Sequence, residues 1–268
     1  MEGPDNRGLT RRELLRAGAG GALLAGAAGV LGPEAAAAAL RTQAAKPRSG
    51  GTLRIGIGGG GPTDDFDAAH VNGPSSTTRD EVFYETVVYL DGRFHMHRDY
   101  LCTEFAPNRT ADAWTVRLKK GVEFHNGKTA TADDLLYSVR RILNPKSAAI
   151  AAGQLSGIDL ARTKKLDKYT ERFALKAPTS FFDQLMSDIV YLLPVGYDPK
   201  HPVSTGPWVF KSFTAGRMTV LERFKNYHGT PAFADRLELV ELPDDSARVN
   251  ALISGQVDAI NQVPYAQI

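Results

Sequence analysis

Gly127, Lys128 and Thr129 follow a glycine at position 121, with a strand-like run, WTVRL, ahead of them and a helix-like run, LLYSVRRIL, behind. Strand, glycine loop and helix in that order can cradle phosphates on backbone N–H groups while the lysine reaches them. His95 and His97 would share one face of a strand, and Asp64, Asp65 and Asp67 could add oxygen ligands, as in a metal-dependent hydrolase. Gly58 to Gly61, followed by Thr63 and Asp64, make a loop whose backbone could approach a bound molecule closely. Cys102 is the one thiol in the chain, so no internal disulfide and no multi-cysteine zinc site can form.

Each of these readings depends on the elements that hold the residues, and around Lys128 they do not suit a phosphate. Five residues separate Gly121 from Gly127, where a phosphate-binding loop has four. Val122, Glu123 and Phe124 among them bring bulk and negative charge. Asn126-Gly127 is instead a tight-turn dipeptide. Thr131 stands three residues before Asp134 and a periodic apolar run, a capping-box pattern in which the Thr131 hydroxyl accepts from the Asp134 N–H. Leu135, Leu136, Val139, Ile142 and Leu143 then share one helix face, and Asn144-Pro145 ends the helix. A turn and a capped helix explain the stretch, and the nucleotide reading is rejected. His95, His97 and the aspartates belong to no motif that would gather them round a metal. They are read as exposed polar residues, His125 as a surface residue beside the turn, and Cys102 as a small packed one.

Elsewhere, GTLRIGI alternates Leu53, Ile55 and Ile57 as a half-buried strand, and AWTVRL turns Trp114, Val116 and Leu118 inward. Val82, Phe83, Val87 and Leu90 fall near helical spacing, which predicts a helix stopping at Asp91-Gly92. Phe173 and Leu175 mark a strand, SFFDQLMSDIVYLLP a helix running into a buried stretch, and MTVLERF and RLELVELP two more strands. SARVNALISGQVDAI predicts a helix with Val249, Leu252 and Ile253 inward, a stop at Gly255 and a short strand through Val257 and Ile260. Strands alternate with helices, which is the α/β or mixed α+β class.

The 268 residues carry a net charge of +2 with both signs interleaved, so no basic face suggests nucleic acid as a partner. Arg11-Arg12, an apolar Ala/Gly/Leu run from Ala17 to Leu31 and Ala37-Ala38-Ala39 are the parts of an export signal, and the paired arginines point to the twin-arginine machinery. Residues 1–39 are therefore read as a twin-arginine-type signal peptide, 40–50 as a flexible linker and 51–268 as the folded part. The expected location is outside the cytoplasm, in a periplasm or on the outer face of the cell membrane.

Taken in order, four segments resemble the peptide-type (dipeptide/oligopeptide) solute-binding proteins of ABC importers. GGTLRIGI looks like that family's opening strand, and AWTVRLKKGVEFHNGKTATADDLLYSVRRIL is similar to its strand, hairpin and helix signature. PVSTGPWVFKSF resembles its Gly-Thr-Gly-Pro-Tyr segment, with Ser204 and Trp208 as departures. LERFKNYHG followed by RVNALISGQVDAI resembles its Asn-x-x-Tyr and Gly-x-x-Asp pattern, with Asn226 and Tyr227 closer together than usual.

The resemblance implies a periplasmic-binding-protein-like two-lobe fold, of which this chain would be largely the first lobe, truncated before the second. It implies no catalysis and no cofactor. Its partners would be a peptide or similar small solute and the permease subunits of an ABC importer, with capture impaired in the truncated chain. Gly59, Gly60, Gly61, Thr63 and Asp64, at the end of the first strand, and Thr205, Gly206 and Trp208, near the expected hinge, are the candidate ligand-binding residues. Two alternatives stand beside this one. The first is the metal-dependent hydrolase. The second is a nonfunctional remnant in which Leu192, Leu193, Val195 and the stretch from Ile253 to Ile260 border a surface meant for a second half.

Overall fold

Apolar alternation makes Thr52–Ile57 a strand, β1, and its neighbours complete a sheet. The computed structural model describes residues 48–71 and 73–264. The export signal read in residues 1–39 and the linker up to residue 47 lie outside the described residues. β1 pairs in parallel with β10 (Arg236–Glu241) on one side and β11 (Ala259–Ile260) on the other. β9 (Met218–Arg223) and β8 (Trp208–Thr214) extend the sheet antiparallel, giving the order β11-β1-β10-β9-β8. A hairpin of β2 (Tyr89–Leu90) and β3 (Met96–His97) stands apart. A four-stranded sheet, β4-β5-β7-β6, joins Cys102–Pro107, Ala113–Leu118, Thr170–Ala174 and Lys164–Lys165.

Two apolar cores follow. The first packs Trp114, Val116, Leu118 and Phe173 of the four-stranded sheet against helix α2 (Ala132–Leu143) and helix α3 (Phe182–Ile189). Trp114, Val116 and Leu118 all face inward, as the alternation predicts. Cys102 is buried in this core, where desolvation pushes its thiol up to about 12, so it is packed and unreactive. The second core gathers Ile57, Phe66, Phe83, Trp208, Leu221, Leu237 and Leu239 beneath the five-stranded sheet.

The stretch around Lys128 forms a hairpin and a capped helix. The N–H of Gly127, at φ +79°, donates to the Phe124 carbonyl, and the Phe124 N–H donates to the Lys128 carbonyl. The helix begins only at Ala132, beyond reach of a phosphate at Lys128. Thr131 and Asp134 form the capping box, but its well-formed limb is the carboxylate. One Asp134 oxygen accepts from the Thr131 N–H at 2.9 Å and the Thr131 hydroxyl at 2.8 Å. The other accepts from the Val195 N–H at 2.8 Å and ties the helix to the chain leaving α3. Thr131→Ala is therefore expected to cost about 1 kcal/mol and Asp134→Ala about 2–3 kcal/mol, while Lys128→Ala leaves stability unchanged; urea unfolding of the three variants measures the order.

Two helices depart from the sequence expectation. The one predicted to run to Asp91 is α1, Pro74–Phe83, and the chain is extended at Tyr84 with ψ 160°. Val87 and Val88 enter the first core from a bend between the Thr86 bridge and β2, and the β-branched run Thr86-Val87-Val88 disfavours helix there. The last helix is α4, Asp245–Ile253, and its buried residues are Arg248 and Ala251. Leu252 and Ile253 face solvent, Ile253 at 78 % exposure. Arg248 takes the inward position because its guanidinium donates to the Leu242 carbonyl at 2.9 Å and lies against Gly58.

Candidate functional site

At the carboxyl ends of β1 and β10 the loop from Gly58 to Asp64 turns over the first residues of α1. In an open sheet this edge is where ligands bind. Gly59 and Gly60 have φ +80° and +88°, which side-chain-bearing residues avoid. A Cβ on Gly60 would lie 2.2 Å from a carboxylate oxygen of Glu241, so the glycines first serve the protein's own packing. Beneath the loop Arg79 is 1 % exposed and donates to Glu241 at 2.9 Å. Asp64 lies 3.7 Å from the same guanidinium and accepts from the Ser75 hydroxyl at 3.1 Å. Gly61 and Thr63 lie along this loop, and Thr63 is exposed.

Thr205, Gly206 and Trp208 are not brought to that loop. Gly60 lies by Ser75, at the start of α1, whereas Gly206 packs on the carbonyl of Phe83, at its end, and ten helical residues span about 15 Å. A Cβ on Gly206 would stand 2.4 Å from that carbonyl oxygen. Gly206→Ala is expected to cost about 2–3 kcal/mol through this backbone clash, read as a lowered urea midpoint with unchanged slope. His125 is not a surface residue: it is partly buried and its Nε2 bonds to the Gly206 carbonyl at 3.0 Å, and desolvation lowers its pKa. Trp208 packs in the second core.

The second group leads to a cluster that sequence reasoning missed. Glu85 is 5 % exposed and accepts from Thr205 Oγ1 at 2.7 Å, Tyr227 Oη at 2.8 Å, His228 Nε2 at 3.0 Å and Tyr100 Oη. Burial pushes the Glu85 carboxyl up, but the hydrogen bond and charge of His228 and the Tyr100 and Thr205 bonds outweigh it and hold it below the usual range. The cluster joins the chain after α1, the approach to β4, the approach to β8 and the chain after β9.

Beside this cluster opens a recess of about 690 Å³, walled by Val82, Tyr84, Tyr89, Leu90, Tyr100 and Tyr191, with Glu81, Glu85, Thr86, Ser187 and Asp188 as its polar lining. A smaller apolar recess of about 150 Å³, walled by Val71, Ile142, Ile150 and Ile189, adjoins it through the shared residues Asp188 and Tyr191. We treat the two as one groove, in the size range of small-molecule sites, with a mixed polar and aromatic lining.

The proposed metal ligands are dispersed. His95 and His97 both stand by Asp91, at 3.7 and 3.2 Å, on the exposed hairpin. Asp65 bonds His70 at 2.7 Å, Asp67 pairs with Arg141 at 2.6 Å and Asp64 lies by Arg79. Among the described residues no group of three or more His, Cys, Asp or Glu side chains is arranged to hold a metal ion. Leu192 and Leu193 are core residues, not the border of an open surface.

A family model for bacterial extracellular solute-binding proteins, family 5 middle, matches residues 100–268. The oligopeptide-binding protein AppA of Bacillus subtilis is 27 % identical over 247 residues, 86 % of this chain and 44 % of that protein. The fold is similar to a periplasmic binding protein, DppA, of Helicobacter pylori in complex with the peptide STSA, at TM-score 0.69 and 26 % identity over 79 % of this chain and 46 % of that one. It is also similar to AgaA of A. tumefaciens R10 in complex with agropinic acid, at TM-score 0.72 and 28 % identity over 80 % of this chain and 44 % of that one. The chain spans about half the length of the relatives it matches.

Proposed function

The chain belongs to the bacterial extracellular solute-binding proteins of family 5, and from that premise we propose that it supplies one wall of a clamp that captures a peptide or similar small solute and delivers it to an ABC permease. The observation that carries this reading is the groove of about 690 Å³ walled by tyrosines, in a fold whose neighbours are ligand-bound binding proteins. No reaction is catalysed: the groove's chemistry is shape, aromatic faces and hydrogen bonds. Gly59, Gly60, Gly61, Thr63 and Asp64 form a second rim on the loop after β1. Thr205, Gly206 and Trp208 fix the crossover through Glu85, Phe83 and the core. The protein works outside the cytoplasm, after twin-arginine export. No described helix is long and apolar enough to cross a membrane.

Titrating the labelled chain with a pool of short peptides, followed by amide NMR, tests the reading. Shifts are expected at Val82, Tyr89 and Tyr191; shifts confined to other surfaces, or none, would remove the groove from the function. For export, replacing Arg11 and Arg12 together by lysine should leave precursor in the cytoplasm, and undiminished export would remove the twin-arginine reading.

A further inference from the structure

We propose that this groove selects solutes that carry a cationic group, the basic side chain of a peptide, seated against the Tyr191 hydroxyl between the carboxylates of Glu81 and Asp188. The proposal rests on the solute-capture reading and adds the charge of what is captured.

Tyr191 carries the inference. It is only 9 % exposed, lines both recesses, and its hydroxyl has no hydrogen-bond partner among the described residues. The neighbouring buried phenols are all engaged: Tyr84 with Tyr197, and Tyr100 and Tyr227 on Glu85. With no partner among the described residues, this hydroxyl is free to bond a molecule seated in the groove.

The charges around it fix the sign of that partner. Glu81 and Asp188 line the recess, and neither forms an ion pair among the described residues; Asp188 accepts only from the Ser187 hydroxyl at 3.1 Å. No lysine, arginine or histidine lines either recess. Burial raises the Glu81 carboxyl, and burial with the charges of Asp80 and Glu81 raises the Tyr191 phenol, which therefore remains protonated. An anion here would meet carboxylates with no cation to balance them. Both carboxylate residues are exposed, so a neutral solute would leave their charge in water and gain nothing from it. An ammonium or guanidinium neutralises them, takes the hydroxyl as a ligand and lies among the tyrosines that line the recess.

The test uses the full chain, titrated by NMR with Ala-Lys-Ala, Ala-Gln-Ala and Ala-Glu-Ala and with spermidine. The terminal charges are common to the three peptides, so differences between them report the central side chain. The lysine peptide is expected to bind about tenfold more tightly than the glutamine peptide, and the glutamate peptide more weakly than either. Glu81→Gln with Asp188→Asn should remove that margin, so that the lysine and glutamine peptides bind alike, and Tyr191→Phe should narrow it. Equal affinity for lysine and glutamate peptides overturns the cation assignment while solute capture stands. Spermidine binding that depends on Glu81 and Asp188, with no peptide bound, keeps the cation and overturns the peptide reading. Absence of any binding overturns both.

Discussion

Replacing Glu85 by alanine is expected to destabilise the protein by about 3–5 kcal/mol at neutral pH, the largest loss for any single side chain described above. The carboxylate is buried and accepts from Thr205, Tyr227, His228 and Tyr100, so its removal takes the shared acceptor from four donors at once. Glutamine keeps the shape but can accept through only one atom, and should recover part of the loss. The sign of the pH dependence follows from the direction of the shift. Glu85 has its pKa lowered in the folded protein, so its contribution is present above the unfolded carboxylate value and is lost as pH falls through the folded one. The penalty of the alanine variant should therefore shrink in acid. Chemical denaturation of wild type and variant across that range measures it, and a penalty unchanged down to the acid limb would mean that the ionised carboxylate is not what holds the four donors.

Glu171 makes the opposite prediction. It is fully buried on β7, on the same face as Phe173, with Val116 and Lys165 opposite it in register. Neither carboxylate oxygen has a hydrogen-bond partner. Desolvation pushes its carboxyl up to about 7, opposed by Arg140 and Lys165 and aided by Asp133. A raised folded pKa means that stability is fully present below the unfolded value and is lost as pH rises through 7. Glutamine mimics the neutral acid, so Glu171→Gln is expected to stabilise the protein by about 1–3 kcal/mol at pH 8 and by almost nothing at pH 4. Thermal unfolding of both proteins at the two pH values distinguishes this from a uniform packing effect, which would shift both equally.

The parts that were legible in the sequence are those whose causes are local. Asn126-Gly127, Thr131 with Asp134, and the alternation through Trp114, Val116 and Leu118 each act within a few residues, and each forms as expected. The helix over Val82 to Leu90 failed because a coincidence of spacing competed with β-branched residues and with the need to turn Glu85 into a buried site. Leu252 and Ile253 failed because Arg248, apolar along its stem and hydrogen-bonded at its head, fills the inward position instead. The Glu85 cluster had no local signal, since its donors come from positions 100, 205, 227 and 228. Glu171 was legible: alternation with Phe173 places it inside the sheet, and only the habit of reading charge as exposure hid it. Gly59 to Asp64 and Thr205 to Trp208 were read together as candidate ligand-binding residues, and only the fold shows that they lie at opposite ends of α1.

The placement of β1 between β10 and β11 has a consequence for biogenesis. Thr52 pairs with Arg236 and Ile55 with Ala259, so the strand that leaves the ribosome first acquires its neighbours last. The four-stranded sheet closes largely through nearby pairings, β4 with β5 and β5 with β7, and has low contact order by comparison. The nascent chain should therefore fold from its middle outward, with Ile55 and Ile57 presented on a strand bare at both edges until residue 241 has been made. Such an edge is a template for association with other chains. Any holding factor that accompanies this protein during synthesis would act on its first strand, and its task would end when β10 arrives.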